Sequence, residues 1–306
     1  MPTYEDLLTQ IRPLMRRLSN WAGYSLAQDG DGWVLTMYVL PGVESLPIEF
    51  NLLPLRIRRE PMGQFSVVPR PPAHPVNAPL TLTGAPAGTI GSPVSVRSVT
   101  GVIRGSIGAY VRNEDGVWLL SANHVLACNG RNLPLADPNH GVYLGARRVS
   151  RTIVFRELRP HGNQADAAAC LLVDPTPGFV APWPQGWARN PTPFTPTAAT
   201  RVKVSVNGAD AFGIVVSASL DGLRVSMGAG TFPCSLDNVE FSGGILVRAD
   251  DDQLGRPGNS GGLVVTADAA SHPVGLITGR NAAGFVVVSP LAKALADLGL
   301  PGQLMV

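Results

Sequence analysis

Charge is scarce in this chain. Of 306 residues only 15% are Asp, Glu, Lys or Arg, and they nearly cancel, leaving a formal net charge of +2. Nucleic-acid surfaces need cations clustered among aromatics. No such run occurs, and Arg56-Ile57-Arg58-Arg59 reads as a solvated strand end. Long apolar runs are missing too. No stretch of about 18 uninterrupted apolar residues exists, so the sequence offers no helical membrane span. Cysteine is sparse: Cys128, Cys170 and Cys234 are odd in number, widely spaced and without a metal-ligand pattern. A basic, then apolar leader is also lacking, since Met1-Pro2-Thr3-Tyr4-Glu5-Asp6 is acidic. The expectation is a cytoplasmic protein with reduced thiols. Cys128 is expected as a small buried filler, with a redox-sensitive thiol as the alternative.

What is abundant is apolar and turn-forming. Hydrophobic residues make up 45%, beside 34 glycines and 28 prolines. Residues 3–19 predict an amphipathic helix, with a capping-box start at Thr3 and Asp6 and apolar Leu7, Leu8, Ile11, Leu14, Met15 and Leu18 at helical spacing. A turn at Asp29–Gly32 and strands over Trp33–Leu40 and Pro47–Leu53 complete a small N-terminal α+β domain, residues 1–68. Residues 69–93 are rich in Pro and Gly and read as a stiff linker, or as an arm across a neighbouring subunit. From about residue 95, short strands alternate with turn residues: Val102–Arg104, Ala109–Arg112, Trp118–Ser121, Arg148–Val154, Arg201–Val206, Gly213–Ser217, Arg224–Met227, Ile245–Arg248, Leu263–Thr266, Val274–Thr278 and Phe285–Val288. Many short strands without a long helix predict a sandwich or barrel. Asn113–Gly116 reads as the hairpin before the Val117–Ser121 strand. A second Pro-rich stretch, residues 174–200, carries Trp183 and Trp187, expected to pack on a barrel, a peptide-binding surface being the alternative. The chain ends in a helix with Ser289 as N-cap, Pro290 at the first helical position and Gly299 beyond the last turn.

Three segments carry chemistry. In Gly255-Arg256-Pro257-Gly258-Asn259-Ser260-Gly261-Gly262 a serine sits among glycines ahead of a β-branched run. Such a turn can aim a hydroxyl outward and turn the Gly258 and Ser260 amides toward one point, as an oxyanion hole requires. The segment Val117–Leu126 reads as a buried strand that delivers His124 near its end. Asn163-Gln164-Ala165-Asp166 places an acid before a small apolar run. A serine hydroxyl is a weak nucleophile and needs a base; an imidazole serves near neutral pH, and an acid orients it. The order is His124, Asp166, Ser260, with gaps of 42 and 94 residues. The remaining histidines, His74, His140, His161 and His272, lie in Pro, Gly or polar contexts and are expected to be exposed.

This chain order, with the segments Ser121–Leu126 and Pro257–Leu263, resembles the trypsin-like (chymotrypsin-fold) serine peptidases over roughly residues 85 to 298. The resemblance implies a mainly β fold: a double six-stranded β-barrel over residues 94–306, with the N-terminal α+β domain in front and the C-terminal helix behind. The layout of the N-terminal part is similar to cytoplasmic bacterial relatives of the plant narrow-leaf serine peptidases. The implied catalytic residues are His124, Asp166 and Ser260, with Gly258 and Ser260 as oxyanion donors. The strand Pro273–Arg280 matches the family's substrate-lining strand, so Thr278, Gly279 and Arg280 are expected to bind substrate. Leu254, six residues before Ser260, stands where a primary pocket often has its base and favours apolar side chains, whereas Arg280 would welcome an acidic one. Asn259 replaces the aspartate that many secreted members carry there. No metal and no cofactor are implied. The expected activity is a serine endopeptidase acting on protein or peptide substrates, restrained by narrow specificity, a distorted resting site or enclosure in a homo-oligomer. A non-catalytic peptide-binding scaffold of the same fold and an esterase-like hydrolase are the alternatives.

Overall fold

The computed structural model describes residues 2–42, 46–67, 88–98, 101–130, 141–150, 152–173, 179–227, 238–300 and 303–305. The expected domain boundary at residue 68, most of the 69–93 linker, His74, His140 and Cys234 lie outside them.

Helix α1 (Tyr4–Arg17) opens the chain. Thr3 Oγ1 accepts from the Asp6 N–H at 3.2 Å, and the Asp6 carboxylate accepts from the Thr3 N–H at 3.0 Å. Two of the orphan donors at the helix start are thereby satisfied. Leu7, Leu8, Ile11 and Met15 form its buried stripe against Trp21, Tyr24, Leu35, Met37 and Phe50. The last five come mainly from strands β1 (Trp21–Asp29) and β2 (Gly32–Val39), a hairpin with register Asp29↔Gly32. The sequence pattern missed β1, because Ala22, Gly23, Ser25 and Ala27 are small and carry little strand propensity. The Pro47–Leu53 strand is a correction. Ile48–Leu52 is a 3-10 turn that buries only Phe50 and leaves Ile48 and Leu52 exposed. The place beside β2 belongs instead to β3 (Arg56–Pro61), which pairs with it in parallel. A short strand, β4 (Phe65–Ser66), follows.

The first barrel contains β5 (Pro93–Ser98), β6 (Gly101–Ser106), β7 (Ala109–Asn113), β8 (Gly116–Ser121), β9 (Gly141–Leu144), β10 (Arg147–Ser150), β11 (Ile153–Phe155) and β12 (Ala168–Leu171). The hairpin Asn113–Gly116 joins β7 to β8. β6 and β7 act as one strand bent at Ile107-Gly108, and β10 and β11 as another. Counted so, six strands close a ring: β5, β6/β7, β8, β12, β11/β10, β9 and back to β5. The single strand expected over Arg148–Val154 is thus two strands, which join different sheets.

The second barrel is closed by pairing alone. β13 (Arg201–Val206), β14 (Ala209–Leu220), β17 (Gly244–Ala249), β20 (Phe285–Pro290), β19 (Pro273–Arg280) and β18 (Leu263–Thr266) follow one another, and β18 returns to β13. Between β14 and β17 rises a hairpin of β15 (Gly222–Ser226) and β16 (Val239–Phe241). This is the double six-stranded β-barrel of the chymotrypsin-like fold. Residues 179–200 run between the barrels; Trp187 is buried in the first barrel's cluster and donates to Asp210 Oδ1 at 2.9 Å. After helix α3 (Leu291–Asp297), β21 (Gln303–Leu304) pairs with β7, so the chain end returns to the first barrel.

The N-terminal module is fastened to the second barrel by main chain. β1 pairs with β15 at Gly23↔Leu223 and Tyr24↔Gly222, extending the sheet. The buried Asp221 carboxylate accepts from the Leu26 N–H at 2.7 Å and from the Tyr4 hydroxyl. The Arg224 guanidinium lies 4.1 Å over the Trp21 ring.

Two outcomes follow. Burial holds the Asp221 carboxyl above its ordinary value, outweighing its hydrogen bonds. The folded chain therefore binds this proton more tightly than the unfolded chain, and Asp221's contribution to stability falls as pH rises from the ordinary carboxylate range through its raised value. Asp221→Asn is expected to remove that slope from the pH dependence of urea unfolding just above the ordinary carboxylate range. Second, a Cβ at Gly108 would collide with the Gly261 carbonyl and the Leu276 side chain at the junction of the barrels. Gly108→Ala is expected to cost about 1–3 kcal/mol or more in chemical unfolding, because backbone cannot step aside.

Candidate active site

The two barrels meet with almost no clearance, and the Ser260 turn and the His124–Asp166 pair lie at that meeting. His124 sits on α2 (Asn123–Leu126), one short turn beyond β8. Asp166 enters from the loop ahead of β12, which pairs with β8 at Ala168↔Ser121. The ladder therefore brings the two together. The carboxylate is fully buried, and the histidine is only 4% exposed. Asp166 Oδ2 lies 2.6 Å from His124 Nδ1, and Oδ1 accepts from the His124 backbone N–H at 3.2 Å. With Nδ1 engaged, Nε2 is the ring nitrogen left with a lone pair for a proton.

A shell of polar side chains fixes this pair, and sequence reasoning missed it. The Asp166 N–H donates to Ser289 Oγ at 2.9 Å, and Ser289 Oγ lies 2.8 Å from Thr278 Oγ1. Ser289 is thus no helix cap; it lies within β20, whose last residue, Pro290, stands at the N-cap of α3. Thr278 is fully buried beneath Asp166 and supports the acid. On the other flank, Asn123 Nδ2 donates to the Arg156 carbonyl at 2.8 Å, and its Oδ1 accepts from the Asn129 N–H at 2.9 Å. Asn129 Oδ1 accepts from the Leu158 N–H at 2.6 Å. Asparagine spaced six residues from asparagine around a histidine was the one available signal, and it is too common to read without the fold.

The serine turn faces the histidine barrel. A Cβ at Gly105 would lie 2.7 Å from the Ser260 carbonyl oxygen and 2.6 Å from Val125 Cγ2, so the serine turn and the neighbour of His124 share one point of contact. Ser106 is the clamp. Its N–H donates to the Ser260 carbonyl at 2.8 Å, and its hydroxyl donates to the Gly258 carbonyl at 2.8 Å. Ser121 Oγ in turn donates to the Ser106 carbonyl at 2.8 Å. On the far side the Gly261 N–H donates to the Ile277 carbonyl at 2.7 Å. Gly258 adopts φ +97°, a conformation that needs glycine. With the carbonyls of residues 258 and 260 drawn toward Ser106, the Gly258 and Ser260 amides donate to no acceptor among the described residues. Two free N–H groups beside a partly exposed hydroxyl are what a developing oxyanion requires.

Other expectations change. Leu254 does not face a pocket; its side chain is fully buried in the second barrel's core, against Gly213 and in one cluster with Val247. Arg280 is committed to carbonyls of the loop before the serine, donating to Asp252 O at 2.8 Å and Leu254 O at 3.2 Å. Gly279 is buried in β19. Asn259 is buried, and its Oδ1 has no partner among the described residues. An ionised aspartate there would be a buried charge without a counterion. His161 is exposed as expected, although it pairs with Glu240 at 2.8 Å; His272 is half-buried, its Nδ1 2.7 Å from Asn190 Nδ2. Cys128 is disulfide-bonded, which overturns the reduced-filler expectation and removes the thiols as support for a cytoplasmic location, since disulfides persist in oxidising surroundings. Cys170 is a free, buried thiol that burial pushes up to about 12, so it stays protonated and inert. No helix among the described residues is long and apolar enough to cross a membrane.

No protein-family model matches the chain, and no curated protein matches it. Solved structures do overlay on it. Protease A of Thermobifida fusca matches at 17% identity and TM-score 0.46, over 72% of this chain and 99% of that one. A glutamic acid specific serine protease matches at 16% and 0.46, over 71% and 100%. A chymotrypsin of Cellulomonas bogoriensis matches at 19% and 0.40, over 72% and 98%. The fold itself follows from the strand order; these overlays neither extend to a narrow-leaf likeness nor assign residues.

Ser106 gives the site its first test. Ser106→Ala deletes the bond to the Gly258 carbonyl, worth about 1 kcal/mol, and is expected to slow fluorophosphonate modification of Ser260 about fivefold while Ser106→Thr restores most of the rate. Equal rates in Ser106→Ala and wild type would show that the clamp does not orient the turn.

Proposed function

We propose that the chain is a serine endopeptidase. The observation that carries this reading is the buried His124–Asp166 pair at 2.6 Å, delivered by the β8–β12 ladder to the turn that holds Ser260. A satisfied structural histidine does not need a serine turn with two undonated amides pressed against its strand.

In the proposed reaction Ser260 Oγ attacks a peptide carbonyl carbon as its proton passes to His124 Nε2. Asp166 holds the ring by Nδ1 and stabilises the imidazolium. The carbonyl oxygen becomes an oxyanion and is caught by the Gly258 and Ser260 N–H groups; each such donor is typically worth about 10²–10³ in rate. His124 then gives its proton to the leaving amine, and the C–N bond breaks. The acyl group stays on Ser260 until water, deprotonated by the same histidine, releases it as a carboxylic acid. Every proton is returned, so the cycle is balanced by one water per bond cleaved.

Selectivity follows a different route from the one the sequence suggested. With Leu254 in the core and Arg280 bound to carbonyls, neither side chain sets the primary pocket's character. The test is labelling by a fluorophosphonate probe. Wild type is expected to be modified at Ser260, and Ser260→Ala and His124→Ala are expected to be silent while folding normally. Absence of labelling in a folded wild-type chain, with peptide binding retained, would leave a non-catalytic binder instead.

A further inference from the structure

The edge of β19 beside Ser260 is already occupied by the chain itself. β19 pairs along one edge with β20, from Gly275↔Pro290 to Arg280↔Val286. Along its other edge it pairs with β18 up to Leu276, and then with the serine turn through the Ile277 N–H to Gly262 O bond at 3.0 Å and the Gly261 N–H to Ile277 O bond. Beyond Ile277 this second edge continues as Thr278, Gly279 and Arg280, leading away from Ser260. A strand added antiparallel there runs toward Ser260, which is the direction in which a substrate must present its scissile carbonyl. Open sheet edges recruit extended peptides in this way through main-chain hydrogen bonds.

β4 holds that position. Ser66 pairs antiparallel with Arg280, and because β20 takes the first edge of Arg280, β4 must lie on the second. The fit is close: a Cβ at Gly279 would come within 2.9 Å of the Ser66 carbonyl oxygen. From its other side β4 is gripped by β15, in parallel register Val225↔Phe65 and Ser226↔Ser66, and the Val67 N–H donates to Ser226 O at 3.0 Å. Asn281 Nδ2 donates to the Gly63 carbonyl at 3.2 Å. Met62, Phe65 and Val67 are buried in the cluster that contains Leu223, Val225 and Phe241. The strap therefore has both the direction and the pairing of the acyl side of a substrate, with its own apolar anchors.

We propose that β4 is a built-in competitor: the chain's own strand occupies the place of an extended peptide on β19 and restrains the site until it is displaced. This rests on the reading of Ser260 as the nucleophile, but it can be tested without chemistry. Fluorescein-labelled, reduced and alkylated casein serves as the extended probe, bound to the full chain carrying Ser260→Ala. Val67→Pro, which removes the bond to Ser226, and Phe65→Ala, which removes the anchor, are each expected to tighten casein binding at least tenfold. With Ser260 intact, both are expected to raise casein hydrolysis at least tenfold while fluorophosphonate labelling, which needs no extended strand, changes less than twofold. In the Ser260→Ala chain without strap substitutions, bound casein should speed hydrogen exchange at the Val67 amide. Casein binding that is equal or weaker in the folded variants overturns the proposal, as does binding that leaves Val67 exchange unchanged. Tighter binding together with an unlabelled Ser260 supports the strap and instead overturns the peptidase reading.

Discussion

The contact of two backbones behind Ser260 is the constraint from which the rest follows. Gly105 and Gly108 on the first barrel and Gly261 on the second stand where no Cβ fits, against Ser260, Gly261 and Ser121 respectively. Protein interiors are packed too densely to absorb such a collision. The barrels can therefore approach until the Ser106 N–H and hydroxyl reach carbonyls of the serine turn. Larger residues would hold the two halves apart, and His124 and Ser260, which belong to different barrels, would lose their common neighbourhood.

A buried carboxylate is tolerable only when its surroundings offer donors. Asp166 receives the His124 ring and backbone N–H groups, and its own amide is held by Ser289. Ser289 and Thr278 come from the second barrel, whereas Asp166 comes from the first. The acid is thus a second tie between the halves. Within the first barrel, Asn123 and Asn129 bind the segment at Arg156–Leu158 to the histidine turn. The site and the barrel junction are one structure, so what orders the site also orders the fold.

The N-terminal module is continuous with this arrangement through a single sheet. From β3 through β2, β1, β15 and β4 to β19, main-chain pairing runs from the module's outer edge to the strand beside the Ser260 turn. Asp221, at the head of β15, ties α1 and β1 to that path. An open sheet edge is available to other strands unless something covers it; here a segment of the chain, anchored by the buried Phe65, covers the edge of β19.

The sequence by itself determined the local patterns and the chemistry-bearing residue types. The capping box at Thr3 and Asp6, the hairpin at Asn113–Gly116 and the short strands are legible because each depends on neighbours within a few residues or on turn stereochemistry, whereas the order His124, Asp166, Ser260 is legible only as a resemblance. Distant contacts left no such mark. Ile48–Leu52 alternates like a strand and is a turn because β3 holds the edge beside β2. Ser289 looks like a helix cap and is a support for Asp166, 123 residues away in sequence. Leu254 looks like a pocket base and is core. Ser106, Asn123 and the strap at Phe65–Ser66 carry no motif at all. Their partners were chosen by barrel closure and strand register, which set which side chains and amides share a place, and only the tertiary structure decides those.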